Sequence, residues 1–235
     1  MKNDKKDKNK YNEEESKQIS VYMNSSALFE LNNCLYHSAD RFPWHIHAQG
    51  YKTERGGYSL IRAVMVDYSM KGNSFSVYAN LSPEHVKYLF AQMQRGVKEF
   101  SFFQQKIVRN WDEEQDNAGI VTCFSISRNG TDASGEERQM PWQVEIQNGT
   151  GILVRDRHIG YYCQDGSYRK KKSVMINLKD DEIFSLFARA DAVIRAFELD
   201  ILLRRRNAGN LRKFYKMLEG HIPGSKEKDG MDKAA

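Results

Sequence analysis

The sequence predicts an α+β protein with two tandem units, each of four antiparallel strands followed by one helix, that form one pseudo-twofold domain with packed helices. Three observations favour this fold. One stretch of sequence occurs twice, apolar residues alternate with polar ones before each copy, and apolar residues within each copy recur three and four positions apart, as in a helix. Residues 76–100 and 173–197 are identical at eight of twenty-five aligned positions, where composition alone gives about one or two. With 235 residues, of which 40% are hydrophobic, the chain is long enough for a substantial core.

The strands of each unit are predicted from apolar residues that alternate with polar ones. In the first unit they cover residues 27–36, 44–48, 58–68 and 75–79. In the second unit they cover residues 119–127, 142–146, 152–163 and 173–177. Trp44 and Trp142 take the same place in both units and share a face with aliphatic residues, so we expect both in the core.

A helix is predicted after the last strand of each unit, because apolar residues there recur at spacings of three and four. The first helix covers residues 82–104 and begins with Ser82 as its cap and Pro83 at its first position. The second helix covers about residues 179–206, and a short helix follows at about 210–218. The first unit therefore spans residues 20–104, a linker spans 105–118, and the second unit spans 119–222. Residues 1–19 and 223–235 are poor in aliphatic side chains and are predicted to be disordered tails.

The composition argues against several classes of protein. No stretch approaches the roughly 18 consecutive apolar residues that cross a bilayer, and the N-terminus is charged, so we expect an intracellular protein, cytoplasmic or associated with the nucleoid. The three cysteines lack metal-ligand spacing and are expected to be reduced thiols. His45 and His47 share a strand face, but no third ligand is evident and no metal site is predicted. No phosphate-binding loop or catalytic motif occurs, so neither an enzyme nor a cofactor is expected.

The order of elements and their repetition resemble the Whirly family of single-stranded DNA-binding proteins, whose two repeats reproduce the dimer of the positive transcription cofactor family. The PUR-repeat proteins are similar in the same way. The resemblance covers about residues 27–206, but the Lys-Gly-Lys-Ala-Ala-Leu strand motif of plant Whirly proteins is absent. What the resemblance implies is binding of single-stranded nucleic acid without catalysis.

Basic and aromatic residues of the predicted strands agree with that implication. Single strands are bound by Lys and Arg along the phosphates and by aromatic rings on which bases stack. The net charge is +5, with basic residues concentrated in the second unit. The predicted contacts of the second unit are Arg155, Arg157, Tyr161, Tyr168, Arg169, Lys170, Lys171 and Lys172. Those of the first unit are Lys52, Tyr58, Arg62 and Lys71. We expect largely sequence-independent binding, to DNA in preference to RNA, that weakens steeply with salt.

An alternative reading of the same residues is a protein-interaction or assembly module that does not bind nucleic acid. Lysine-rich strand edges also deter aggregation, and exposed sheet edges can pair between subunits. Either interpretation is compatible with association of the chain into a homo-oligomer.

Overall fold

The computed structural model describes residues 17–35, 59–69, 73–109, 117–132, 134–156 and 160–219, with only the backbone for residues 204–208 and 210–219. The protein has an α+β fold with two antiparallel sheets and two helices. No helix within these ranges is long and apolar enough to span a membrane.

The first sheet contains β1 (Gln18–Met23), β2 (Ala27–Cys34), β3 (Leu60–Asp67) and β4 (Phe75–Leu81), in that spatial order. Alternation places one face of the sheet in the core, where Phe29, Met65 and Val77 are neighbours in register and fully buried. Helix α1 (Pro83–Gln94) follows β4 directly. The Ser82 side chain accepts a hydrogen bond from the His85 backbone N–H and caps its start.

The second sheet contains β5 (Glu99–Arg109), β6 (Ala118–Asn129), β7 (Trp142–Asp156), β8 (Gly160–Cys163) and β9 (Arg169–Leu178). β6 lies between β5 and β7, and β7 pairs with β9 along its first part and with β8 at its end. Helix α2 (Asp180–Glu219) follows β9. Its first residue is held to the sheet because the Trp142 indole N–H donates to Asp180 Oδ1 at 2.7 Å.

Both helices contribute to one apolar core between the sheets. The helices touch where the rings of Phe90 and Phe184 lie 5.3 Å apart, and Lys87 forms an ion pair with Glu198. Aligned residues of the two helices are buried in pairs: Val86 and Ile183, Leu89 and Leu186, Phe90 and Phe187. The structure confirms that Trp142 is a core residue, with 2% exposure.

The helix predicted over residues 82–104 is confirmed for Pro83–Gln94 but is wrong beyond Gln94. Residues 99–104 of that predicted helix and residues 105–109 of the predicted linker form a strand instead. α1 ends at Gln94, and Gly96 follows in a left-handed conformation with a φ of 62°. Glycine adopts this conformation without steric cost, so it ends the helix and turns the chain. The chain then enters β5, which supplies an edge strand of the second sheet.

Three further boundaries differ from the prediction. β1 begins at Gln18, inside the predicted tail. It was not predicted because its alternation is short and mixed with polar residues. β7 joins the strand predicted over residues 142–146 to the first part of the one predicted over 152–163, and Gly160–Cys163 form the separate strand β8. The two helices predicted over 179–206 and 210–218 form the single helix α2. The strand predicted over 44–48, with Trp44, His45 and His47, lies outside the described residues.

Candidate nucleic-acid interface

The two sheets meet along the edge of β4. Four residues on one face of the second sheet form a row across it: Lys106, Thr122, Asn148 and Lys172 are neighbours in register on β5, β6, β7 and β9. Asn148 Nδ2 donates to the Tyr78 carbonyl at 2.8 Å, and its Oδ1 accepts from the Tyr78 N–H at 3.0 Å. The Asn148 amide therefore pairs with β4 as a neighbouring strand would.

A second carbonyl of the β4 edge is also occupied by side chains of the second sheet. Lys106 Nζ donates to the Asn80 carbonyl at 2.7 Å, and Gln104 Nε2 donates to the same oxygen at 3.1 Å. Gln104 is 9% exposed, and its Oε1 lies 2.8 Å from His85 Nδ1. These contacts place the end of β4 on β5, as Asn148 places its middle on β7.

The row of Lys106, Thr122, Asn148 and Lys172 divides the face of the second sheet into two parts. On the side of α1 and α2, the adjoining residues Phe124 and Ile146 are fully buried. On the other side, Val108 and Ile152 are 59% and 45% exposed although both are apolar. Because β4 lies along the dividing row, this exposed part lies next to the outer face of the first sheet.

The outer face of the first sheet carries an aromatic ring and a cation beside the edge of β4. Tyr78 is 43% exposed, and Arg62 Cζ lies 5.3 Å from the centre of its ring. The Arg62 Nε also donates to Asn80 Oδ1 at 3.2 Å. At the other end of β4, Lys172 Nζ lies 5.7 Å from the centre of the Phe75 ring. We call the following six residues the sheet junction: Arg62, Tyr78, Asn80, Lys106, Asn148 and Lys172.

The sheet junction is positively charged. Its three cations come from β3, β5 and β9, and none of them forms an ion pair with a carboxylate in the described part of the chain. Burial lowers the pKa of Lys106, because the ammonium group is largely removed from water. An anion close to Lys106 would favour its charged form and so offset part of this lowering.

Of the twelve residues predicted from the sequence to contact nucleic acid, the structure brings Arg62 and Lys172 to the sheet junction. Lys52, Tyr58, Lys71 and Arg157 lie outside the described residues.

Arg155 and Tyr161 lie together elsewhere. They are cross-strand neighbours on β7 and β8, with Arg155 Cζ 5.9 Å from the centre of the Tyr161 ring. Tyr161 is 60% exposed, as a stacking platform requires. Arg155 has the parity opposite to Asn148 along β7, so this pair belongs to the other face of the strand.

Tyr168 and the four basic residues that follow it, 169–172, do not form one surface. Tyr168 packs over Gly149, where an added Cβ would lie 2.8 Å from its ring, and its hydroxyl donates to Gln147 Oε1. Burial raises the pKa of Tyr168 to about 12. The Arg169 guanidinium donates to the carbonyls of Gly166 and Tyr168 and so closes the preceding turn.

The three lysines of this run also separate. A register shift between Asn148 and Gly149 pairs Lys170 with Gly149 and Lys172 with Asn148. Neighbouring residues of a strand point to opposite faces, so Lys170 and Lys172 belong to opposite faces of the sheet. Both are exposed, as is Lys171.

Sequence reasoning missed four residues of the sheet junction: Tyr78, Asn80, Lys106 and Asn148. Lys106 was missed because its strand was predicted as helix end and linker. Tyr78 and Asn80 had a usable signal, since they alternate with the buried Val77, Ala79 and Leu81 and must therefore face outward. The contact of Asn148 with Tyr78 joins the two sheets and has no local signal.

No family model matches this sequence, and no curated protein is significantly similar to it.

Proposed function

We propose that the protein binds single-stranded nucleic acid, DNA in preference to RNA, with little base specificity, at the sheet junction. One observation carries this proposal: three cations from both sheets contact β4, Arg62 at the exposed Tyr78 ring, Lys106 at the Asn80 carbonyl and Lys172 at the Phe75 ring. None of the three has a carboxylate partner among the described residues. Cations in a groove and an exposed ring are the two features that single-strand binding requires.

The binding mechanism is phosphate neutralisation combined with stacking. Lysine and arginine release condensed counterions from the backbone, which supplies affinity independent of sequence. A base stacks on the open face of Tyr78, while Arg62 lies against the same ring and holds it in place. Such a base contributes about 1–3 kcal/mol. The protein makes no covalent change in this mechanism.

The order of elements supports the proposal at the level of the fold. Four strands precede α1, and β5, β6, β7 and β9, with the short β8, precede α2. Buried positions coincide in the aligned stretches, as at Val77 and Val174 or Leu81 and Leu178. We infer that the two halves are related units about a pseudo-twofold axis, the arrangement that resembles Whirly and PUR-repeat proteins.

The test is fluorescence anisotropy with a labelled single-stranded oligonucleotide over a range of salt concentrations. Three phosphate contacts predict a slope of about −2 for the logarithm of the binding constant against that of the salt concentration. Lys172→Gln should reduce this slope by about 0.7, because one contact is lost. Lys170→Gln is the matched control: it removes the same charge from the opposite face and should leave the slope unchanged.

A second pair of variants tests the stacking step. Tyr78→Ala should weaken binding by about 5- to 150-fold, which corresponds to the loss of one stacked base. Tyr161→Ala, an exposed tyrosine outside the sheet junction, should bind as the wild type does. Equal effects of the two tyrosine variants would remove the site. Absence of any single-strand binding at low salt would remove the function and favour the assembly module.

A further inference from the structure

An exposed apolar surface lies on the second sheet beyond the row that runs from Lys106 to Lys172. Its residues share the face of that row and are neighbours in register or two positions apart on one strand. We call the following five residues the apolar patch: Val108, Ile120, Ile152, Val154 and Tyr162. Val108, Ile152 and Tyr162 are exposed, and the other two are half-buried. A contiguous exposed apolar patch with a polar rim is typical of a binding surface.

The opposite face of the same strands is closed by the protein itself. Val121 on that face is fully buried, and β8 packs against β5. Cys163 lies so close to Gly151 that an added Cβ there would be 2.5 Å from its Sγ. The strands therefore bury one apolar face within the fold, and the apolar patch is a second apolar face that stays exposed.

Cations border the apolar patch along one side. Lys106 and Lys172 stand at the two ends of the row, on β5 and β9, with β6 and β7 between them. Three strand spacings separate them, which is about 14 Å. Tyr78 lies at the middle of this margin, because Asn148 is bonded to its backbone. A ligand complementary to this arrangement has an anionic backbone for the row and flat apolar groups beside it.

An unpaired nucleic-acid strand has both features, since its bases are free to leave the stack and expose their faces. Duplex DNA has the phosphates, but its base faces are stacked on one another. A simple polyanion has no apolar faces at all. The charge of the row and the adjoining apolar patch together therefore favour a single strand over these two ligands.

We propose that the bases of the bound strand lie on the apolar patch while its phosphates follow the row from Lys172 to Lys106. This inference rests on the proposed function and states what the ligand must contain: unpaired bases as well as a chain of phosphates. Covering Val108 and Ile152 with bases removes apolar surface from water, which adds affinity without reading the hydrogen-bonding edge of any base.

The test compares two labelled oligonucleotides of equal length by fluorescence anisotropy, one of thymidine and one of abasic spacers. Both have the same number of phosphates. The wild type should bind the thymidine strand at least about tenfold more tightly. Val108→Thr/Ile152→Thr keeps the β-branched shape but loses apolar surface, so it should bind the thymidine strand about 5- to 20-fold more weakly. It should bind the abasic strand within about twofold of the wild type, with the same salt dependence, because the cations remain.

Two further variants separate the contributions. Phe103→Thr/Met175→Thr is the matched control: it removes two exposed apolar side chains from the opposite face of the same sheet and should leave both affinities unchanged. Lys172→Gln should weaken both oligonucleotides alike, because both contain the phosphates. If Val108→Thr/Ile152→Thr binds the thymidine strand as the wild type does, or weakens both strands equally, the inference is wrong while the proposed function stands. If no single strand binds at low salt, the proposed function itself fails.

Discussion

Replacing Asn148 tests whether its side chain holds β4 to the second sheet. Its amide makes two hydrogen bonds to the backbone of Tyr78, at 2.8 and 3.0 Å. Each such bond contributes about 0.5–1.5 kcal/mol net, and water can reach this partly exposed edge in the variant, so Asn148→Ala should cost about 1–2 kcal/mol. For a chain of this size, that loss lowers Tm by about 2–8 °C. Urea unfolding followed by circular dichroism gives the free energy directly.

Gln143→Ala is the matched control for that measurement. Gln143 is an amide on the same strand, exposed on the opposite face, so it shares the change in strand propensity but not the contact with β4. Its replacement should change the free energy of unfolding by less than about 0.5 kcal/mol. If Asn148→Ala and Gln143→Ala are equally stable, the amide does not hold β4 to the second sheet and the reasoning is wrong.

Two further predictions concern stability. Gly149→Ala should destabilise the protein by more than about 2 kcal/mol in urea unfolding, because its Cβ would lie 2.3 Å from the Arg169 carbonyl oxygen. Gly209→Ala, on the exposed surface of α2 with nothing within 4 Å, should instead stabilise by up to about 1 kcal/mol. The Arg128 guanidinium holds the pKa of Asp180 below its usual value of 3.8. A lowered pKa stabilises the fold above about pH 4 and the effect is lost as pH falls, so Asp180→Asn should be less stable than the wild type at neutral pH and equal to it in strong acid.

The sequence predicts the individual strands and helices of this fold better than the contacts between them. Alternation locates β2, β3, β4, β6 and β9, since each buries one face against the core. The site is predicted only in part, because a list of basic residues does not say which strand face each one occupies. Lys170 and Lys172 are separated by a one-residue register shift between Asn148 and Gly149, and that shift depends on pairing between strands that are distant in sequence.

One glycine explains why the two halves diverge after such similar beginnings. Residues 76–94 and 173–191 form a strand and the first turns of a helix in both halves. Two positions beyond these stretches, Gly96 of the first half aligns with Val193 of the second. Gly96 takes a φ of 62° and ends α1, whereas a β-branched residue is strained there, so the helix that contains Val193 runs on through α2. The residues that follow Gly96 form β5, which supplies Lys106 to the sheet junction. The proposed binding site therefore depends on the early end of the first helix.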